Sequence, residues 1–337
     1  MLHWNLEQFS NNKLNNINGP ALIDYIAKVV SQRGANLISL LELKNSAVNN
    51  ILAQLIPAIN LANGVPVNAN PWSSIHINSL KNNEAYVLLY DTGHNFDFLM
   101  PAAGGGVPIS GLTNQALVGG VPGGVLRFNS SLTTSGGRRP YYVTFHTADT
   151  NHTFAVIAYH TMFGFWSDVG VRNCGLLGQT RAVLDVGVGI PLDASLTSGD
   201  FNVDFVTDPT PYNNLLNHLP ASQSTNELTS LVNFTPPGGF ANSLQYRKNA
   251  YDNIFKYNVA GLPPAGGGIV TDLIDDSTTI AGGGTGALTA EIQAFDRAPI
   301  PLGNLIQNIP PDDYEDAWHI VRHAISNHLP VSVTVAI

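Results

Sequence analysis

The sequence predicts an α/β domain of two packed β-sheets with helices on the outside. Segments with strand patterns and segments with helical patterns alternate along the whole chain, which is typical of this class. Hydrophobic residues make up 44% of the 337 residues, which is enough for a sizeable core. No internal repeat and no sharp break in composition marks a boundary, so we predict a single domain over residues 1–337.

The first half of the chain is predicted to contribute two helices and several strands. Apolar residues at helical spacing over residues 20–33 predict a helix that ends at Gly34. A second amphipathic helix is predicted over residues 46–60, with Ser46 as its N-cap. Apolar or alternating segments predict strands at residues 2–6, 36–41, 72–77 and 84–90.

The second half repeats this mixture, with two Gly-rich interruptions. Helical patterns cover residues 172–186 and 312–323. The stretches near residues 101–137 and 258–290 are rich in Gly and read as loop insertions. Strands are predicted at residues 141–145, 153–159, just before Gly199, 249–257 and 331–337.

The charge balance restricts how this chain can bind nucleic acid. Its 15 basic and 24 acidic residues give a formal charge of −9. A protein that neutralises many phosphates normally carries a basic excess, so a high-affinity DNA clamp is disfavoured. An enzyme with an acidic metal site is compatible with this charge. The single cysteine, Cys174, excludes an intrachain disulfide and a cysteine zinc cluster.

The apolar pattern predicts no membrane insertion. No run reaches the roughly 18 apolar residues that a spanning helix needs. Polar residues appear from His3 onward, so no signal peptide is visible. Because the chain opens almost directly in a strand, removal of a leader sequence stays open as an alternative. The location therefore stays open between secreted and cytoplasmic. We expect a monomer.

Four short segments carry polar side chains of catalytic types where predicted strands end. A lone histidine at a strand end is more often structural than catalytic, and Gly, Asp and Asn are ordinary turn formers. Each segment is therefore weak alone, and their order along the chain is more specific. The segments are Leu40-Leu41-Glu42-Leu43, Ala158-Tyr159-His160, Ser198-Gly199-Asp200-Phe201-Asn202 and Ser326-Asn327-His328-Leu329-Pro330.

In this order the chain resembles the endonuclease/exonuclease/phosphatase superfamily, and within it the deoxyribonuclease I-like nucleases. The resemblance runs from residue 4 to about residue 333. It implies a four-layered α/β sandwich, with two mixed sheets flanked by helices and the active site at one edge of the paired sheets. It is carried by Trp4-Asn5, Leu41-Glu42, Glu84-Ala85-Tyr86, Arg139-Pro140, His160, Gly199-Asp200-Phe201-Asn202, Ala250-Tyr251-Asp252 and Ser326-Asn327-His328-Leu329-Pro330.

The activity that the resemblance implies is metal-dependent hydrolysis of phosphodiester bonds in DNA by direct attack of water. This reaction needs a nucleophilic water, charge relief on the phosphoryl oxygens and help for the leaving oxygen. A hard divalent cation with oxygen ligands suits it, so we expect Mg²⁺, with Mn²⁺ as an alternative and Ca²⁺ in a structural place. Glu42 is the candidate ligand, with Asn5 and Asn327 as neutral oxygen donors.

Two histidines are predicted to share the proton transfers, because an imidazole exchanges protons near neutral pH. The resemblance implies that Asp252 orients His328, the base that activates water. It also implies that Glu84 orients His160, which would stabilise or protonate the departing oxygen.

Other residues are expected to contact the substrate. By the same resemblance, Asp200 and Asn202 would contact the attacking water, the phosphate or a second metal ion. Lys44 and Arg139 would meet the substrate as cations, and Trp166 could stack on a base. DNA is favoured over RNA as the nucleic acid.

The sequence departs from the family pattern in three places. Asn327 stands where the family has an aspartate, which removes one negative charge from the site. Glu7 stands where deoxyribonuclease I has a basic residue, and Asn82 where it has an aromatic one. Two alternatives therefore stay open: a phosphodiesterase or phosphatase acting on a lipid or small phosphate ester, and a catalytically weakened binding protein.

Overall fold

A computed structural model describes the parts of the chain that build the sheets and most of the helices. The described residues are 1–66, 71–78, 83–92, 96–98, 115–116, 124–125, 141–147, 152–161, 193–213, 222–223, 227–233, 242–258, 268–278, 285–300 and 313–335. Among them, no helix is long and apolar enough to cross a membrane.

The described part of the chain contains fourteen strands, numbered in chain order. They are β1 (Leu2–Phe9), β2 (Leu37–Lys44), β3 (Trp72–Asn78), β4 (Glu84–Asp91), β5 (Phe96–Phe98), β6 (Gln115–Ala116), β7 (Gly124–Val125), β8 (Tyr141–Thr147), β9 (His152–His160), β10 (Ala194–Asp200), β11 (Ser222–Gln223), β12 (Asp252–Asn258), β13 (Ile269–Val270) and β14 (Val331–Ser332).

These strands form two mixed sheets, and each sheet contains one parallel pair of strands. The first sheet has the order β13-β14-β1-β2-β4-β3 and the second the order β11-β12-β10-β9-β8-β7-β6, with β5 paired to β8. The pair β1–β2 is parallel in the first sheet, and the pair β9–β10 is parallel in the second. The other strand pairs are antiparallel.

Apolar side chains fill the space between the two sheets. The rings of Phe145 and Phe154 stack at 5.2 Å between their centroids, and Tyr90 meets Phe145 edge-on from the first sheet. Burial of this kind contributes about 25 cal/mol for each Å² of apolar surface. The buried members of this layer are Leu37, Leu41, Ile75, Tyr86, Leu88, Tyr90, Val143, Phe145, Phe154, Val156, Ala158, Ala194 and Leu196.

Helices flank the sheets. The two long ones are α2 (Gly19–Gln32), with buried residues at helical spacing, and α3 (Val48–Ala62), which contains Pro57. The residue Gly34, just past α2, has a φ of 54° that favours glycine, as expected for a helix end. The shorter helices are α1 (Asn11–Asn15), α4 (Leu273–Asp276), α5 (Thr289–Gln293) and α6 (Tyr314–Ile320).

Several boundaries differ from the sequence predictions. Ser46 as the N-cap of α3 is wrong: Ala47 holds that position and makes no side-chain capping bond. The amide of Ala47 donates to Lys44 O at 2.7 Å, so Ser46 lies in a turn before the helix. The predicted helix at 312–323 becomes α6 followed by a π-helical turn, Val321–Ile325. The closing strand β14 stops at Ser332, while 336–337 lie outside the described residues.

Other differences concern elements that the sequence did not reveal. The strand predicted at 2–6 continues through a bulge to Phe9, and helix α1 follows it. Strand β13 and helix α4 lie within the predicted insertion at 258–290. The helix predicted at 172–186 and most of the insertion at 101–137 lie outside the described residues. The single-domain organisation stays a prediction.

Candidate active site

The candidate residues meet where the two parallel strand pairs end. Strands β9 and β10 place His160 beside Asp200, and Asp200 is also in register with Asp252 at the start of β12. In the first sheet, β1 and β2 place Asn5 beside Leu41, next to Glu42. The predicted site residues therefore come from both sheets and face one another across the gap between them.

Gly199 allows β10 to approach β9 closely just before the site. A Cβ atom at this position would lie 2.0 Å from Tyr159 O, a backbone atom that cannot move aside. Only glycine fits here, because it has no side chain. The glycine of the Gly-Asp-Phe-Asn segment is therefore a packing requirement that sets the spacing between Asp200 and His160.

Bulges at the ends of β1 and β2 turn side chains into the site. Glu42 has a φ of 61°, and Glu7 and Gln8 have φ values of 45° and 54°. Residues other than glycine reach this region at a cost of about 1–3 kcal/mol, and such residues cluster at functional sites. The bulge brings the backbone amide of Gln8 to Glu42 Oε2 at 3.1 Å, which fixes that carboxylate.

Glu42, His160 and Asp200 form a compact cluster. His160 Nε2 lies 3.5 Å from Glu42 Oε1 and 3.5 Å from Asp200 Oδ2. One ligand atom from each residue lies within 4.8 Å of the others, as a metal site requires. Asp200, Asp252 and His328 form a second such group, so Asp200 belongs to both.

The amide of Asn5 joins the two carboxylates. Its Nδ2 donates to Glu42 Oε1 at 3.1 Å and to Asp200 Oδ2 at 2.9 Å. Its Oδ1 accepts from the amide of Glu7 at 3.0 Å, so both ends of the amide are assigned. In this arrangement the nitrogen of Asn5, rather than its oxygen, faces the acids.

His328 and Asp252 form a buried pair. His328 Nδ1 lies 2.7 Å from Asp252 Oδ2, and His328 Nε2 lies 3.6 Å from Asp200 Oδ2. Thr229 Oγ1 also donates to Asp252 Oδ2, at 3.1 Å. The other carboxylate oxygen of Asp252 faces His3 Nε2 at 3.4 Å.

Burial and charge shift the pKa values of this group in opposite directions. Burial raises the pKa of Asp200 to about 7, with the nearby acids Asp252 and Glu42 adding to the effect and His328 opposing it. Burial alone would lower the pKa of His328, but the carboxylates of Asp252 and Asp200 outweigh it and raise this pKa to about 10. Burial also works against an ionised Asp252, yet His328 and His3 hold its pKa well below the usual range. In the metal-free protein, His328 therefore carries a proton at neutral pH.

The second histidine has a looser acid partner. His160 Nδ1 lies 3.8 Å from Glu84 Oε2, and Glu84 Oε1 lies 3.7 Å from Lys44 Nζ. The backbone amide of His160 donates to Tyr86 Oη at 3.2 Å, which ties the end of β9 to the first sheet. Lys44, expected to contact substrate, here contacts the acid beside His160.

Asn327 is held through its backbone. Its backbone amide donates to Glu7 Oε2 at 3.1 Å, and Glu7 Oε1 accepts from Arg322 Nη1 at 3.1 Å. Asn327 Oδ1 is buried and has no hydrogen-bond partner within the described ranges. Glu7, which replaces a basic residue of the family pattern, is therefore paired with a cation of its own chain.

The remaining candidates divide into two groups. The amide of Asn202 donates to Asp200 Oδ1 at 3.0 Å, and Asn202 Nδ2 donates to Thr161 O at 3.1 Å. Asn202 therefore shapes the turn that follows Asp200. Arg139 and Trp166 lie outside the described residues.

Sequence reasoning missed several residues that hold the site together. His3 and Thr229 contact Asp252, and Ser326 Oγ donates to Asn5 O at 2.7 Å and accepts from the amide of His328 at 3.1 Å. Ser326 begins the Ser-Asn-His segment, and its signal in the sequence is its place two residues before His328. His3 had one signal, a polar side chain two residues before Asn5 on the same face of a strand.

Comparison with known proteins identifies the fold. No family model matches the sequence, and no curated protein matches it. An endonuclease/exonuclease/phosphatase family protein from Bacteroides thetaiotaomicron matches in structure with a TM-score of 0.56 and 14% identity, over 98% of this chain and 92% of that one. A mannosyl-6-phosphatase from the same organism matches with a TM-score of 0.53 and 14% identity, over 100% of this chain and 98% of that one.

A third solved structure is TDP2 from D. rerio in complex with a single-strand DNA product. It matches with a TM-score of 0.51 and 10% identity, over 100% of this chain and 98% of that one. Two mixed sheets flanked by helices are common to this chain and these structures, so the predicted endonuclease/exonuclease/phosphatase fold is confirmed.

Proposed function

We propose that this chain is a divalent-metal-dependent phosphoesterase that hydrolyses phosphodiester bonds of DNA by direct attack of water. One observation carries the proposal: carboxylates and imidazoles from six distant parts of the chain converge on one end of the paired sheets. Glu42, Asp200 and His160 lie within metal-ligating distance of one another, and His328 lies on the far side of Asp200. A purely structural role would not require so many buried charges in one place.

The donor set fits a hard cation. Glu42 and Asp200 supply carboxylate oxygens, and Mg²⁺ prefers one or two such ligands completed by water. The buried Oδ1 of Asn327, without a partner among the described residues, is a neutral oxygen suited to the same ion. A cation held here would supply charge relief for the phosphoryl oxygens and would make the attacking water more acidic. To contribute Oδ1, Asn5 would have to give up its bond from the Glu7 amide.

The two histidines then divide the proton transfers. His328, with its Nδ1 held by Asp252, presents Nε2 towards Asp200 and is the proposed base. Because the neighbouring carboxylates hold a proton on His328, it must lose that proton before it can act as the base. Neutralisation of Asp200 and Glu42 would lower the pKa of His328 and allow this loss. His160 has a weaker hold on its acid and is the proposed donor to the departing oxygen.

DNA is the proposed substrate because the fold is shared with a protein whose structure contains a DNA product. The charge of the chain limits how tightly a duplex would bind. A formal charge of −9 and the pairing of Glu7 with Arg322 leave few cations for phosphate contacts. We therefore expect weak, transient DNA binding whose affinity depends only shallowly on salt, since few phosphates are neutralised.

A small phosphate ester is the second candidate. A cavity of about 410 Å³ lies beside the bulge of β1 and is lined by Gln8, Asn16, Asn18 and Arg322, among others. Its size suits a sugar-sized group, and amides suit hydroxyls. The fold is also shared with a mannosyl-6-phosphatase. Asn327, in place of an aspartate, would favour a third candidate, a binding protein with little activity.

The test is a nicking assay on plasmid DNA with Mg²⁺ or Mn²⁺, with a chelator and with the variant His160→Ala. His152→Ala is the matched control, because His152 starts the same strand and pairs with Asp193 far from the site. We expect nicking that requires the metal ion, is lost in His160→Ala and is retained in His152→Ala.

The alternatives give different results in the same series. Release of phosphate from sugar or lipid phosphates without nicking would support the second candidate. Inactivity on every substrate, even after Asn327→Asp, would leave the binding protein.

A further inference from the structure

His3 is a fully buried histidine that the proposed chemistry does not use. It lies on β1, two residues before Asn5, so both side chains point from the same face of the strand. Asn5 reaches Asp200 in the second sheet, and His3 faces Asp252 in the strand that pairs with Asp200. Asn5 and His3 thus contact two neighbouring carboxylates across the gap between the sheets.

His3 and Asp252 meet in the interior of the protein. His3 Nε2 lies 3.4 Å from Asp252 Oδ1, and both side chains are 0% exposed. In the described part of the chain, neither ring nitrogen of His3 nor Asp252 Oδ1 has a conventional hydrogen bond. Because an unsatisfied buried polar group destabilises the fold, His3 Nε2 and Asp252 Oδ1 stabilise each other by facing one another.

The other oxygen of Asp252 is already committed. Asp252 Oδ2 lies 2.7 Å from His328 Nδ1 and accepts from Thr229 Oγ1 at 3.1 Å. Thr229 Oγ1 in turn accepts from the amide of Asp252 at 2.9 Å. Rotation of the Asp252 carboxylate would exchange Oδ1 and Oδ2. His3 is the group that faces Oδ1 and can therefore oppose this rotation.

We propose that His3 is a positioning residue: it holds Asp252 Oδ1, so that Oδ2 stays aimed at His328 Nδ1. This inference rests on the proposed function, in which His328 is the base. A hydrogen on His3 Nε2 would point at Oδ1, which lies 3.4 Å away. His3 acts through Asp252 and does not touch the substrate.

A packing role makes a different prediction. If His3 only fills space between the sheets, an aromatic ring of similar size should serve equally well. His3→Phe keeps the ring and removes the donor, while His3→Gln keeps a donor without the ring. Ser39→Ala is the matched control, because Ser39 is the in-register neighbour of His3 on β2 and bonds Ser198 instead of Asp252.

The first measurement needs no activity. In chelator-treated protein with ¹⁵N-labelled histidine, NMR should show a strongly downfield proton on His328 Nδ1 in the native chain, in Ser39→Ala and in His3→Gln. In His3→Phe this signal should move upfield or broaden. An unchanged signal in folded His3→Phe would overturn the proposal whether or not the protein cleaves DNA, so this result is independent of the proposed function.

The second measurement separates kcat from KM on the substrate identified by the nicking assay. Loss of a residue that orients a site group typically costs about 10- to 100-fold in activity. We expect His3→Phe to lower kcat by about 10-fold with little change in KM, and His3→Gln to recover most of it. Equal losses of kcat in His3→Phe and His3→Gln would contradict the role of the donor. Should His3→Phe fail to fold, His3→Leu takes its place in both measurements.

Discussion

The two histidines of the candidate site differ in how firmly each is joined to its acid. His328 Nδ1 lies 2.7 Å from Asp252, whereas His160 Nδ1 lies 3.8 Å from Glu84. The first distance is that of a strong, charge-assisted hydrogen bond, and the second is too long for a direct one.

The surroundings of the acids explain this difference. Asp252 is completely buried: Thr229 donates to its Oδ2, and His3 faces its Oδ1. Glu84 also faces Lys44, whose Nζ lies 3.7 Å from Glu84 Oε1. Both acids are buried, but Asp252 lies at hydrogen-bond distance from its imidazole, whereas Glu84 lies farther from His160 and also faces a lysine. The two halves of the site thus suit a held base and an adjustable proton donor.

Breaking each pair in turn should give the largest effect. Asp252→Asn leaves His328 Nδ1 without its anionic partner, and we expect kcat to fall by about 10³-fold or more, as general acid–base groups contribute about 10²–10⁴. Glu84→Gln should cost only about 10-fold, because the contact that it removes is already long. Asp193→Asn, which alters a surface His–Asp pair, is the control and should be neutral. Equal losses from Asp252→Asn and Glu84→Gln would erase the distinction between the two histidines.

Asp200 lies between the histidines and should link the comparison to metal binding. Burial raises its pKa to about 7, so below that pH a proton competes with a cation for the carboxylate. Apparent Mg²⁺ affinity, measured by calorimetry, should increase about tenfold for each unit by which the pH is raised towards 7. Above pH 7 the affinity should become constant.

Asp200→Asn removes the competing proton together with a charged ligand. We expect it to weaken Mg²⁺ binding by at least the roughly 10-fold that loss of a supporting group costs, and to abolish the rise with pH below 7. Asp208→Asn, at an exposed acid nearby, should retain both affinity and pH dependence. A rise with pH that survived in Asp200→Asn would assign the proton to another group.

The smallest effect should come from Lys44. Lys44→Met frees Glu84 to approach His160, and a better-paired imidazolium is a weaker acid. Partly exposed ion pairs are worth about 0.2–1 kcal/mol, so we expect kcat to fall by about 2- to 5-fold with little change in KM. Lys28→Met breaks a comparable pair with Glu291 away from the site and serves as the control. A rise in KM at unchanged kcat would instead place Lys44 in contact with the substrate.

The order of elements and the segments that meet at the site could be predicted from the sequence. Apolar runs ending in Glu42, His160 and Asp200 mark strands whose ends share one edge, and the structure brings these side chains together. The contacts across the sheets could not be predicted in this way. Nothing local to β1 indicates that His3 lies against Asp252, which is far along the chain, because that pairing depends on how one sheet lies on the other.

Backbone bulges were also beyond the sequence pattern. The turn of Glu42 into a positive φ and the reach of Gln8 to its carboxylate arise from pairing irregularities in β1 and β2, which alternation of apolar residues does not encode. The orientation of the Asn5 amide follows from these bulges, since its oxygen is taken by the amide of Glu7.

Gly199 fixes the distance between the two strands that carry Asp200 and His160. Since Tyr159 O would lie 2.0 Å from any Cβ at this position, even alanine would push β10 away from β9. The separation between Asp200 and His160 would widen with it, although neither residue had been altered. Mutational tolerance around the site should therefore be lowest at a residue that carries no chemistry of its own.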